Sequence, residues 1–144
     1  MKKTLEGLAG YCSILSTLIN EFLREELKEA SNGELYPSQC SVLYMVYKYD
    51  GRIQIKEIYD TLLKQKSTIT EIINRLVKSG YVKKVRCDLD RRVTYIVATK
   101  KGMAFRKEFD KLSARLMNKM YKNFDEEEKV VLVQLILRAI ENLS

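Results

Sequence analysis

Histidine and tryptophan are both absent from the 144-residue chain, and proline occurs once. Without histidine the commonest general base near neutral pH is missing, and no imidazole can ligate a metal. Cysteine is scarce: Cys12, Cys40 and Cys87 stand 28 and 47 residues apart with no C-x-x-C pair, which excludes zinc-ribbon and thioredoxin-type motifs. An odd thiol count, with no export signal after Met1-Lys2-Lys3-Thr4, leads to the expectation of reduced cysteines in a soluble cytoplasmic protein. Six scattered glycines form neither G-x-G-x-x-G nor G-x-x-x-x-G-K, so no phosphate-cradling loop is expected. The greasiest stretch, 130–140, is interrupted by Gln134 and Arg138 and is too short to span a bilayer. The expectation is a protein without catalytic residues, cofactor or metal.

What is present is charge, unevenly placed. Of the net +7, most falls in residues 64–92, where nine basic residues (Lys64, Lys66, Arg75, Lys78, Lys83, Lys84, Arg86, Arg91, Arg92) meet three acidic ones (Glu71, Asp88, Asp90). The other residues are nearly balanced, with 17 basic and 16 acidic groups. Excess charge concentrated in one segment is the electrostatic footprint of a polyanion-binding surface. A merely solvated surface has the same composition, so the segment gains meaning from where the fold puts it.

Apolar periodicity supplies that frame. Leu5, Leu8, Cys12, Leu15, Ile19 and Phe22 recur at three- and four-residue spacing and predict a helix over 5–29, stopped by Ser31-Asn32-Gly33. Pro37 suits the first position of a second helix, because its missing N–H would be unsatisfied there anyway. A turn at Asp50-Gly51 and a short extended step, Arg52-Ile53-Gln54, precede a brief helix over 55–63. Beyond the polar Lys64-Gln65-Lys66 elbow comes a helix that buries Ile69, Ile72, Ile73 and Leu76 and ends at Ser79-Gly80. Its start is open within two or three residues, since Thr68 and Glu71 also read as a capping box. Strand-like runs over 81–86 and 93–98 flank a polar hairpin tip. Thr99 is placed to cap a long helix carrying Phe105, Phe109 and Leu112, and Asp125 with Glu128 to cap the last one.

The last helix is apolar around nearly its whole circumference, through Val130, Val131, Leu132, Val133, Leu135, Ile136, Leu137, Ala139 and Ile140. Such a helix must be covered on most sides. Burying four of these side chains contributes on the order of 6–12 kcal/mol before association costs, so a partner chain is expected to cover it, with the first helix as its neighbour.

The order helix, helix, short strand, helix, turn, helix, β-hairpin is that of a winged helix-turn-helix, mainly α with a small β-hairpin wing. In such a unit the second helix of the pair enters the major groove, where base edges are distinguishable. The stretch Ile53-Gln54-Ile55-Lys56-Glu57-Ile58, Ser67-Thr68-Ile69-Thr70, Asn74-Arg75-Leu76 and Gly80-Tyr81-Val82 resembles the MarR family of transcriptional regulators. So does Asp90-Arg91-Arg92 followed by Thr99-Lys100-Lys101-Gly102, and the resemblance runs over 35–102. It implies a homodimeric repressor that reads a pseudo-palindromic operator in double-stranded DNA, with 1–34 and 103–144 as dimerisation lobe and 35–102 as DNA-binding lobe. It further implies that Arg92 enters the minor groove, that Asp90 orients it, and that Arg86 and Arg91 meet the backbone. Lys66, Ser67, Thr68, Thr70 and Arg75 are the expected contacts of the recognition helix, with a Glu71 ion pair as the purely structural reading of Arg75. Three positions depart from the pattern: Tyr36 stands where a threonine is usual, Ala98 where a leucine is usual, and Glu71 where a basic or polar residue is frequent.

Two switches are implied by relatives. One is a reactive thiol in the first helix, placed near Cys12, although Cys12 also reads as a small buried hydrophobe of the apolar stripe. The other is a small aromatic anion bound in a crevice, with Tyr36, Tyr44 and Tyr47 as candidate lining or as ordinary core edge. The reading from a different class is an interaction module that docks an acidic protein on its basic wing and never binds DNA.

Overall fold

Residues 7–144 are described by a computed structural model. Among them the order is α1 (Leu8–Ala30), α2 (Pro37–Lys48), β1 (Arg52–Gln54), α3 (Ile55–Leu62), α4 (Lys66–Lys78), β2 (Val82–Arg86), β3 (Thr94–Ala98), α5 (Lys100–Met120) and α6 (Glu126–Leu143). Leu5, the first apolar position of the expected first helix, lies outside the described residues. The chain forms two compact units, one ending at Leu112 and the other running from Ser113 to Ser144, and the division falls within α5.

In the first unit the expected β-hairpin is present, and β1 extends it to a three-stranded antiparallel sheet in the order β1-β3-β2. The short extended step became β1 because its alternation places Ile53 opposite Ile96 of β3, and both side chains are buried. The core is built from Val42, Leu43 and Val46 of α2, Ile58 of α3, Ile69, Ile73 and Leu76 of α4, and Leu112 of α5. Tyr47 belongs to this core. Its hydroxyl donates to the Gly102 carbonyl at 2.7 Å, and its ring meets Phe109 edge-on with centroids 5.2 Å apart. Burial, then the charge of Asp110, pushes its phenol well above the ordinary range.

Local chemistry sets the helix ends. At α2, Tyr36 is the N-cap without a side-chain cap bond. Instead Gln39, itself buried, reaches back to accept the Tyr36 N–H at 2.7 Å. That supplies one half of a capping box from inside the helix. Leu63, just past α3, takes the left-handed conformation at φ 52°, a costly position for a non-glycine residue, and the chain turns there into α4. Because α4 opens at Lys66 with Gln65 as N-cap, Thr68 lies inside its first turn and the Thr68–Glu71 capping box is not used.

The T-x-x-G stretch does two jobs at the start of α5. Thr99 Oγ1 accepts from the Gly102 N–H at 3.1 Å, which caps the helix. The same hydroxyl lies within hydrogen-bonding reach of the Gly80 and Tyr81 carbonyls, and the Thr99 N–H donates to Tyr81 at 3.0 Å. Gly102 is needed for this approach, since a Cβ there would stand 2.0 Å from the Tyr81 carbonyl oxygen.

In the second unit, Asp125 accepts from the Glu128 N–H at 2.8 Å while Glu128 accepts from the Asp125 N–H at 2.9 Å. This is the expected cap. The α6 helix that it opens has no buried residue, and Val130, Val131, Val133, Leu135, Ile136, Leu137 and Ile140 are all exposed. In the first unit the N-terminal half of α1 is likewise uncovered, with Leu8, Ile14, Leu15 and Leu18 exposed and burial beginning at Leu23 and Leu27. Cys12 is therefore exposed in the single chain.

Gly102→Ala should lower unfolding stability by about 1–3 kcal/mol or more, because the added methyl meets backbone rather than a movable side chain. Urea denaturation of variant and parent at equal protein concentration checks this; an unchanged midpoint would contradict the close approach.

Candidate nucleic-acid interface

The wing is the β2–β3 hairpin, registered so that Val85 faces Tyr95 and Arg86 faces Thr94. Its tip is closed by the Cys87 N–H donating to Val93 at 2.9 Å and the Val93 N–H donating to Asp90 at 3.0 Å. Around that turn Asp90 grips Arg92 three times. Its Oδ1 accepts from the Arg92 backbone N–H at 3.0 Å and from Nε at 3.1 Å, and its Oδ2 accepts from Nη2 at 3.3 Å. These bonds to Arg92, side chain first, hold the Asp90 carboxyl below the usual carboxylate range. The Arg92 side chain is nevertheless 91% exposed, so the guanidinium is oriented without being covered. Arg86 and Arg91 are exposed beside it.

The other half of the surface is α4. Its buried side, Ile69, Ile72, Ile73 and Leu76, matches the expected stripe, and its opposite side is polar. Ser67, Thr70, Glu71, Asn74, Arg75 and Lys78 line an open depression of about 460 Å³. Ser67 and Thr68 stand exposed in the first turn. Thr70 is less available than expected, because its hydroxyl shares a hydrogen bond with Tyr59 at 3.0 Å. Lys66 lies 5.6 Å from the centre of that same ring. Arg75 makes the ion pair with Glu71 at 2.7 Å, with both side chains more than half exposed; such a surface pair is weak and easily exchanged for another partner.

Sequence reading passed over a second pair on this surface. Lys84 of β2 donates to Asn74 Oδ1 at 2.6 Å. No spacing rule joins residues ten apart across a turn, and the only available signal was that Lys84 belongs to the basic stretch. Also unforeseen is the bracing behind the surface. Glu34 accepts from Tyr81 at 2.9 Å and pairs with Lys101 at 2.7 Å, and Lys101 donates to the Ser79 carbonyl at 2.8 Å. The bond to Lys101, then that to Tyr81, lowers the Glu34 carboxyl.

A cleft of about 620 Å³ lies within the first unit. Tyr36 lines it together with Asn20, Arg24, Ser38, Lys64 and Arg75; Tyr44 is exposed but outside this lining, and Tyr47 is in the core. Cys40 also faces the cleft, and burial pushes its thiol up to about 12, which leaves it in the unreactive thiol form. Among the described residues no cluster of metal-ligating side chains occurs, and no helix is long and apolar enough to cross a membrane.

The model of the MarR family matches residues 35–93, the segment from the end of the α1–α2 turn to the wing. That segment is a MarR-family winged helix. No curated protein sequence matches the chain. Among solved structures it is similar to a MarR protein from Peptoclostridium difficile, with 26% identity, a TM-score of 0.83, and coverage of 95% of this chain and 87% of that one. It is also similar to a mutant MarR from E. coli complexed with operator DNA, at 20% identity and TM-score 0.78, covering 95% and 96% of the two chains. A third is the PcaV transcriptional regulator from Streptomyces coelicolor in complex with its natural ligand, at 22% identity and TM-score 0.77, covering 95% and 92%. The likeness shows the MarR-type fold along nearly the whole chain.

The Asp90 grip has a pH signature. A carboxyl whose native pKa is depressed stabilises the wing turn above its unfolded pKa and loses that contribution as pH falls through the native value. In a carboxyl-carbon NMR titration, Asp90 should show a midpoint below the usual carboxylate range, and Arg92→Ala should move the midpoint upward. Equal midpoints would show that the pair does not persist in solution.

Proposed function

We propose that the chain is a homodimeric, sequence-specific regulator of transcription, a repressor rather than an enzyme, binding a pseudo-palindromic operator in double-stranded DNA. The observation that carries this reading is the Asp90–Arg92 grip, which fixes a bare guanidinium at the outer turn of a wing whose neighbouring helix presents a polar face. A narrow minor groove concentrates negative potential and favours a guanidinium held that way. In this reading Arg92 enters the minor groove and Asp90 orients it. Arg86, Arg91 and Lys66 neutralise phosphates, and Ser67, Thr68, Thr70 and Arg75 approach base edges from α4. The operator-bound relative from E. coli supports the assignment.

Residues 1–34 and 103–144 serve in this proposal as the dimerisation lobe and 35–102 as the DNA-binding lobe. The support is the apolar side chains that α1 and α6 each leave exposed, since exposed apolar patches mark interaction sites. Release from DNA is assigned to a small aromatic anion in the cleft beside Arg24, Lys64 and Arg75 or to oxidation of Cys12 on α1. The ligand-bound relative from Streptomyces coelicolor supports the first route.

Duplex affinity should fall steeply as salt rises, with a slope set by the phosphates neutralised, and one sequence should be preferred by about 10³-fold or more. Arg92→Ala should weaken operator binding roughly tenfold or more, the scale of one lost specific contact. An unaltered affinity would remove Arg92 from the interface, and salt-sensitive binding without any sequence preference would favour the acidic-protein reading. Separately, Leu135→Glu should convert a dimer to a monomer in sedimentation equilibrium. A parent chain that sediments as a monomer would defeat the proposed lobe.

A further inference from the structure

The cleft of about 620 Å³ in the first unit has a lining of one charge sign. Arg24 of α1, Lys64 of the α3–α4 turn and Arg75 of α4 line it from three elements, and no Asp or Glu does. Among the described residues Arg24 and Lys64 form no ion pair, whereas Arg75 is paired with Glu71, which stands outside the lining. Three positive charges less one leave a surplus of two. The cleft also abuts the start of α2, where Pro37 and Ser38 line it and the N-cap Tyr36 makes no side-chain cap bond. A helix start presents N–H groups and the positive end of the helix dipole, a setting that favours anions. A carboxylate brings one negative charge and meets half of the surplus. A phosphate monoester brings about 1.5 to 2 at neutral pH, on three strong acceptor oxygens, and matches both the charge and the donors.

We propose that the cleft takes a phosphate monoester carried on an aromatic body, the chemistry of a nucleoside monophosphate. Arg24, Lys64 and Arg75 hold the phosphate, and the exposed ring of Tyr36 at the rim packs on the planar group. The inference rests on the release route proposed above and deepens it, since the cleft is the same and its anion gains a class. Arg75 lines the α4 depression as well, so a phosphate that takes this guanidinium draws a cation away from the face proposed to meet DNA.

The test is calorimetric titration of the full-length chain, without DNA and at one ionic strength. The probes are adenosine monophosphate, adenosine, ribose 5-phosphate, inorganic phosphate and salicylate. Adenosine monophosphate should bind about tenfold or more tightly than adenosine or salicylate, the scale of a hydrogen bond to a charged group. Arg24→Gln and Lys64→Gln should each lose about tenfold of that affinity, and Arg24→Gln should keep the parent's duplex binding. Tyr36→Ala should bring adenosine monophosphate down to the affinity of ribose 5-phosphate. Salicylate binding more tightly than the monophosphate overturns the proposal and leaves the aromatic-anion route standing. Ribose 5-phosphate or inorganic phosphate binding as tightly as the monophosphate overturns the aromatic body. Binding that both charge variants leave unchanged places the phosphate elsewhere and overturns the site, as does failure of every phosphate to bind at millimolar concentration. A monophosphate that binds yet leaves operator affinity unchanged upholds the site and defeats the release route instead.

Discussion

The structure turns on the seam where the first turn of α5 meets the backbone of the α4–β2 turn. Thr99 caps its own helix and lies within bonding reach of the carbonyls at Gly80 and Tyr81, and Gly102 allows the two backbones to come that close. Tyr47 donates to the Gly102 carbonyl from the α2 side. Around the seam, Glu34, Lys101 and Tyr81 form a further polar brace. The two elements of the basic surface, α4 and the wing, are thus joined to the long helix at this junction. Side-chain packing alone would leave more freedom there, because apolar contacts are not directional.

The electrostatics of the contact surface follow the same economy. Arg75 and Arg92 are exposed and weakly committed, each through an ion pair, one with a neighbour one turn away and the other across the hairpin tip. Such pairs add little to stability in water. Their effect is geometric: each keeps a long side chain near its acidic neighbour. Asp90 does this for Arg92 and Glu71 for Arg75.

Much of this was legible in the sequence because it depends on near neighbours. Pro37, Asp125 with Glu128, and Thr99 with Gly102 are local signals, and the helices open where they point. The buried stripe of α4 was equally plain, since Ile69, Ile72, Ile73 and Leu76 recur at helical spacing. The readings that shifted depend on distant parts of the chain. Whether Cys12 is covered depends on what packs against the first half of α1, which its spacing does not say. Tyr47 could not be separated from Tyr36 and Tyr44 by composition, and only the approach of Gly102 and Phe109 puts it inside. The Tyr59–Thr70 and Lys84–Asn74 bonds likewise arise from how α3 and β2 cross α4.

The inward reach of Gln39 has a consequence for position 36. An N-cap side chain at position 36 would accept from the Gln39 N–H; here the Tyr36 carbonyl accepts it at 3.0 Å, while the buried Gln39 accepts the Tyr36 N–H. Residue 36 is thereby released from a structural obligation, and a bulky phenol occupies it at the rim of the cleft. A site so unburdened can change its side chain, and with it the chemistry offered to a visiting molecule, while the helix behind it keeps its anchor.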